Sequence, residues 1–331
     1  MRMSLAIFTA HTAAAVCCTP AVTSIPTPTE PAMPAAPAIH DVKVLESRML
    51  TREAGHGPAV VFLHGNPMSS HIWRDVIPHV AGGARCLAPD LIGMGGSGKP
   101  DIAYRFADHA RYLDAWFDAL ALHDVVLVGY DWGGALAMDW AARHPDRVRG
   151  LVVFETFLRP MAWNEWSPKG AELFRALRTP GVGETMVFDG NQFLDRSLSN
   201  GIQRRMTDDE IAAYQAPFVD AASRRPMLQW TREIPIEGDP ADVTAVVTRY
   251  DAWLASTPTV PKLLLTFEAP ATLFPSPTGS PAMIQWAREH VADLEIAALG
   301  PAGHHAPEDR PDDIGRAITS WLERHELSAR R

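Results

Sequence analysis

The sequence predicts an α/β protein, a mostly parallel, doubly wound sheet into which a block of helices is inserted. Three observations predict it. Short apolar runs at 59–63, 125–128 and 151–154 are bounded by turn residues, as in strands buried on both faces. They alternate with stretches of helical spacing, which implies βα units and a parallel sheet. The alternation lapses over 158–238, in a helical and irregular stretch rich in aromatic residues, and then resumes.

Taken in order, the chain opens on a leader at 1–38 whose composition differs from that of the remaining residues. Arg2 precedes an apolar stretch over 5–16, and a run crowded with Pro, Ala and Thr comes after it. One reading is a signal peptide and flexible linker, which would send the protein to the periplasm or outside the cell. The other is an upstream start codon before a cytoplasmic chain that begins near Met33. The first part of the core then covers 39–157. Its strand at 59–63 ends in His64-Gly65-Asn66-Pro67, and its strand at 85–89 closes on Asp90 and the glycine-rich stretch 93–98. A helix over 106–122 carries Leu113, Trp116, Phe117 and Leu120 on one face. The strand at 125–128 leads through a turn to a helix that starts at Ala135 and ends at His144, before Pro145. The next strand, 151–154, has Glu155 at its carboxyl end.

The inserted block, 158–238, reads as a helical cap, with a capping box at Thr207-Asp208-Asp209-Glu210. The second part of the core, 239–331, resumes with a helix over 241–255, a strand at 262–267 and a helix over 281–290. A strand at 294–299 and a last helix over 311–324 complete it. No internal repeat is seen.

The chemistry concentrates in Gly129-Tyr130-Asp131-Trp132-Gly133-Gly134. A buried strand, a glycine-crowded turn and a helix are the setting of a nucleophile elbow, which lifts one side chain to the top of an α/β-hydrolase sheet. The residue at the elbow is Asp131. A carboxylate is already charged at neutral pH and attacks without a base, so it suits displacement at a saturated carbon. The resulting ester must be hydrolysed, which calls for a general base and for donors to a tetrahedral oxyanion.

The base is one of His304 and His305, which lie in the turn after the last strand, at the same sheet edge as the elbow. Glu155 is favoured as the acid that orients it, with Glu268, at the end of the 262–267 strand, as the competitor. Asn66 and Trp132 flank the reactive position. A side-chain amide and an indole are neutral donors, suited to a leaving halide that a cation would hold too tightly. Their backbone N–H groups are placed for the oxyanion.

Composition bounds the alternatives. The 331 residues carry a formal charge of −9, which argues against nucleic acid and anionic membrane surfaces. Cys17, Cys18 and Cys86 form neither metal-ligand spacing nor a disulfide framework. No apolar run reaches the roughly 18 residues of a membrane span. No cofactor is expected.

At these residues the chain resembles the haloalkane dehalogenases, in particular the subfamily with an Asp–His–Glu triad and an Asn–Trp halide pair. The similar stretches are His64-Gly65-Asn66-Pro67 with Ser69-Ser70 and Trp73-Arg74, Asp90-Leu91-Ile92-Gly93-Met94-Gly95, Asp131-Trp132-Gly133 and Glu308-Asp309. In the inserted block Arg224-Arg225-Pro226, Ile234-Pro235-Ile236 and Pro240-Ala241-Asp242-Val243 are also similar. The resemblance implies Asp131 as nucleophile, His304 as base, Glu155 as its partner, and Asn66 with Trp132 as halide donors. It also implies Phe174, Phe193, Pro226 and Leu273 as apolar pocket residues, with Phe193 and Pro226 nearest the halide. The expected partners are a small haloalkane, water and the halide product, with the chain acting as a monomer.

The chain departs from the family at some positions. His305 and Pro307 stand where an aromatic residue and a Gln are usual, and Tyr130 where His or Gln is often found. Thr156-Phe157-Leu158 and the stretch 274–281 should reshape the tunnel mouth. Three rival readings remain. An epoxide hydrolase shares the Asp elbow but uses cap tyrosines as acids, for which Tyr214 and Tyr250 are the candidates. A luciferase-like oxygenase carries similar residues. A non-catalytic binder would keep the pocket without turnover.

Overall fold

A computed structural model describes residues 37–268 and 280–329. The expectations for 1–36 and for 269–279, Leu273 among them, fall outside the described residues. One eight-stranded sheet organises the rest. Its strands are β1 (Ala38–Val44), β2 (Ser47–Ala54), β3 (Ala59–Leu63), β4 (Arg85–Pro89), β5 (Val125–Tyr130), β6 (Val148–Phe154), β7 (Lys262–Glu268) and β8 (Leu294–Pro301). In space they run β1-β2-β4-β3-β5-β6-β7-β8. From β4 to β8 every neighbour is parallel, while β2 is antiparallel to both β1 and β4.

The central strands are apolar because helices cover both faces. All six residues of β5 are buried, as are four of the five in β3. The helices Phe106–Ala119, Trp132–Arg143, Ala241–Ser256, Pro281–His290 and Pro311–Arg324 accompany the parallel strands. Between β6 and Ala241–Ser256 lie Pro168–Arg178, Val182–Phe188, Gln192–Gly201, Asp208–Gln215 and Arg225–Glu233. Among the described residues, no helix is long and apolar enough to cross a membrane.

The β1–β2 hairpin has no clear signature in the sequence. β1 lies at the sheet edge and buries only Val42 and Val44, so it lacks an apolar run. Its turn, Leu45-Glu46, takes a left-handed conformation at Leu45 (φ 46°) without the Gly or Asn that marks such turns. The helix after β5 begins at Trp132 rather than Ala135, because Gly133 and Gly134 belong to its first turn.

Gly133 is needed there for space. A Cβ at this position would stand 2.1 Å from the Leu63 carbonyl oxygen, where the helix crosses the end of β3. Backbone cannot yield as a flexible side chain can. Gly133→Ala is therefore expected to lower stability by about 3 kcal/mol, the upper range of core overpacking, read from urea unfolding. A loss under about 1 kcal/mol would mean that the helix and β3 part easily.

Candidate active site

The parallel strands bring their carboxyl ends to one edge, and the polar residues gather there. β5 ends at Asp131, whose backbone (φ 50°, ψ −130°) lies in a region costly for any residue with a side chain. β6 ends at Glu155, also left-handed at φ 48°. The two strained ends hold each other: the Asp131 N–H donates to the Glu155 carbonyl at 3.0 Å. Thr156 Oγ1 donates to the Asp131 carbonyl at 2.7 Å. Together these contacts over-determine an elbow that would otherwise relax.

The turn after β3 closes over the carboxylate. The Asn66 N–H donates to Asp131 Oδ1 at 2.7 Å. Gly65 has to be glycine, since a Cβ would lie 2.2 Å from that same oxygen. Buried His64 fixes the turn, accepting the Leu91 N–H at Nε2 (2.9 Å) while Nδ1 faces the Gly65 carbonyl at 2.9 Å. The Asn66 side chain reaches the inserted helices instead, with Nδ2 donating to the Met227 carbonyl at 3.1 Å. Trp132 is held by a stacked Trp230, ring centroids 4.5 Å apart.

His304, in the turn after β8, spans the two carboxylates. Its Nε2 lies 3.5 Å from Asp131 Oδ2 and its Nδ1 3.2 Å from Glu155 Oε2. Burial acts to lower its pKa. Hydrogen bonds to Asp131 and Glu155, and their negative charges, outweigh burial and raise it to about 10. His305 points elsewhere. Its Nε2 lies 2.8 Å from Ser197 Oγ and its Nδ1 3.4 Å from the Tyr130 hydroxyl. Burial, reinforced by the neighbouring His304, holds it well below the ordinary histidine value. Glu268 ends β7 exposed, whereas Glu155 is buried.

A cavity of about 40 Å³ opens over Asp131, room for about three waters. Asn66, Trp132, His304, Phe174 and Phe193 line it with Asp131. Pro226 is not among the lining residues and packs on Gly93 instead. The sequence did not single out Trp166, Ser197, Thr231 or Ile234 as wall residues, although they belong to it. For Ser197 a signal existed, since it lies one helical turn after Phe193.

The turn that carries His304 is stitched to the segment 201–214. The His305 N–H donates to the Gly201 carbonyl at 2.8 Å. Asp309 accepts the N–H groups of Gly303 (2.7 Å), Gln203 (2.9 Å) and Arg204 (2.9 Å). Buried Glu308 takes a bidentate bond from Arg74 and further bonds from Arg204 and the Tyr214 hydroxyl.

Residues 58–224 match the α/β-hydrolase fold family. Over 294 residues the chain is 50% identical to a haloalkane dehalogenase of Mesorhizobium japonicum, covering 87% of this chain and 92% of that protein. The chain belongs to the haloalkane dehalogenase family. A haloalkane dehalogenase of Sphingobium indicum is 40% identical, with 86% of this chain and 94% of that protein covered. The crystal structure of the haloalkane dehalogenase DbeA from Bradyrhizobium elkani superposes with a TM-score of 0.83 at 45% identity. That match covers 88% of this chain and 99% of DbeA. Against the haloalkane dehalogenase pattern, the departures at Tyr130 and His305 prove to be neighbours in space, their rings meeting edge to face at 6.1 Å.

The two carboxylates around His304 give a pH dependence with a definite sign. The folded chain raises this pKa, so the charged imidazole contributes stability in full below the ordinary histidine value of about 6.5. That contribution is lost as pH rises through about 10. In nitrogen-15 spectra of the substrate-free protein, the His304 ring should stay protonated between about pH 6 and 8.5. Asp131→Asn, which removes one charge at constant shape, should bring its titration into that window. An unchanged protonation state in the variant would show that Asp131 does not set the charge on His304.

Proposed function

We propose that the site hydrolyses the carbon–halogen bond of small haloalkanes, with Asp131 as nucleophile, His304 as base, Glu155 as its partner, and Asn66 and Trp132 as halide donors. The observation that carries this reading is the line Glu155–His304–Asp131 beneath a cavity whose wall includes Asn66 and Trp132. Asp131 Oδ1 is bound by the Asn66 N–H, and Oδ2, 3.5 Å from His304 Nε2, is the oxygen that attacks. In the first step Oδ2 bonds to the substrate carbon in line, and the halogen leaves with the bonding electron pair. Neutral donors stabilise the halide without trapping it.

The second step is governed by charge. Once Asp131 is an ester, one of the two negative partners of His304 is gone, while burial still disfavours the imidazolium. The ring then releases its proton and becomes a base at the moment one is needed. A water deprotonated by His304 attacks the Asp131 carboxyl carbon, and Oδ1 carries the oxyanion against the Asn66 N–H. Collapse breaks the bond to the alkyl oxygen, which leaves as alcohol, and the carboxylate is restored. The balance is haloalkane and water to alcohol, halide and a proton. Glu155 fixes the imidazole tautomer and stabilises its charged form.

The helices of 158–238 act as a cap over this cavity, on a core formed by 39–157 and 239–331. The single chain is the proposed working unit, since Asp131, His304, Glu155, Asn66 and Trp132 meet within it. The epoxide reading loses its acids. The Tyr214 hydroxyl is committed to Glu308 and the Tyr250 hydroxyl to the Phe157 carbonyl at 2.5 Å, and neither residue lines the cavity.

Two outcomes test the assignment. With 1-bromobutane or 1,2-dibromoethane, Asp131→Ala should reduce bromide release by roughly 10⁴-fold or more, as loss of a nucleophile does. His304→Phe should release one bromide per chain and stop, with a mass increase equal to the alkyl group. Trapping by His305→Phe instead would move the base by one position. Turnover by Asp131→Ala would point to another nucleophile.

A further inference from the structure

Beyond the reacting end, the cavity wall carries two hydroxyls and the indole of Trp166, whose buried N–H has no partner among the described residues. Thr231 Oγ1 donates to the Leu228 carbonyl of its own helix at 2.7 Å, an internal back-bond. Ser197 differs. It sits within the helix Gln192–Gly201, is 3% exposed, and turns its Oγ to His305 Nε2 at 2.8 Å rather than to a carbonyl one turn back.

The pair has the spacing of a nucleophile and its base, but lacks the chemistry. Among the described residues no carboxylate bonds His305 to stabilise an imidazolium, and the charged His304 ring lies 5.0 Å away. His305 therefore stays neutral, with one ring nitrogen a donor and the other an acceptor. The chain Ser197–His305–Tyr130 can run in either direction. When Nε2 accepts from Ser197, the hydroxyl oxygen keeps lone pairs for the cavity. When Nε2 donates, the hydroxyl hydrogen is free for it. Gly201 closes against the His305 ring, where a Cβ would come within 2.6 Å, so the arrangement has little room to shift.

We propose that Ser197, held by His305, is a subsite for a hydroxyl group, and that short ω-haloalcohols with the halogen at Asp131 and the hydroxyl at Ser197 belong to the substrate range. The proposal rests on the dehalogenase reading above. A terminal methyl at this place leaves the second hydrogen-bonding capacity of Ser197 unmet, whereas a terminal hydroxyl can meet it as donor or acceptor. A purely apolar wall would penalise the same exchange, because the hydroxyl would lose its water without a partner.

The test compares isosteric pairs in which CH₃ becomes OH: 1-bromopropane with 2-bromoethanol, 1-bromobutane with 3-bromopropan-1-ol, and 1-bromopentane with 4-bromobutan-1-ol. Bromide release gives kcat/KM for each, in the unaltered chain and in Ser197→Ala. The quantity read is the alcohol-to-alkane ratio within one protein sample, so a partial loss of folded enzyme cancels. At the chain length that spans the two sites, Ser197→Ala should lower this ratio about tenfold, as loss of one hydrogen bond does. Ratios that agree between the two proteins at every length would overturn the subsite while leaving the dehalogenase reading intact. Bromide release from none of the six compounds would remove that reading, and the subsite with it.

Discussion

Everything at this sheet edge depends on how closely the helix Trp132–Arg143 and the turn after β3 approach each other at Asp131. Gly133 lets the helix touch the Leu63 carbonyl, and Gly65 lets the turn lie against the Asp131 carboxylate. With a side chain at either place, the Asn66 N–H would be pushed off Oδ1 and the elbow would open. The strain this imposes on the Asp131 and Glu155 backbones is of order 1–3 kcal/mol at each. It is offset by the backbone bond between the two residues, by Thr156, and by the buried strands beneath them.

In the mechanism proposed above, that geometry also ties the two chemical steps together. A histidine between two carboxylates is held charged, and so cannot compete for a proton while the first step needs only Asp131. Esterification removes one of the charges that kept it so. The site thus needs no separate device to switch its base on, because the first product changes the field the base feels.

Much of the architecture was legible in the sequence because parallel, doubly covered strands must be apolar and short. The strands at 59–63 and 85–89 and the helices at 281–290 and 311–324 agree with the structure to the residue. The β1–β2 hairpin escaped because an edge strand exposes most of its side chains, and because Leu45 makes a left-handed turn without glycine. Asp131, Asn66 and Trp132 could be read because each sits beside a turn with its own signature. Residue spacing alone leaves His304 and His305 open, since adjacent residues in a turn face different ways for reasons of packing; the resemblance favours His304, the ring that lies between Asp131 and Glu155. The cavity wall was the hardest part. In an amphipathic helix such as Gln192–Gly201, Phe193 and Ser197 share one face. Nothing local tells whether that face meets core or empty space.

The bonds from Asp309 and Glu308 to the segment 201–214 have a consequence for how the helical insertion can change. Its middle, near Gly201 and Arg204, is fixed to the same turn that carries His304, so any displacement there is also a displacement of the imidazole. That segment of the insertion and the imidazole are therefore mechanically one unit, joined through Asp309, Glu308 and the His305 N–H.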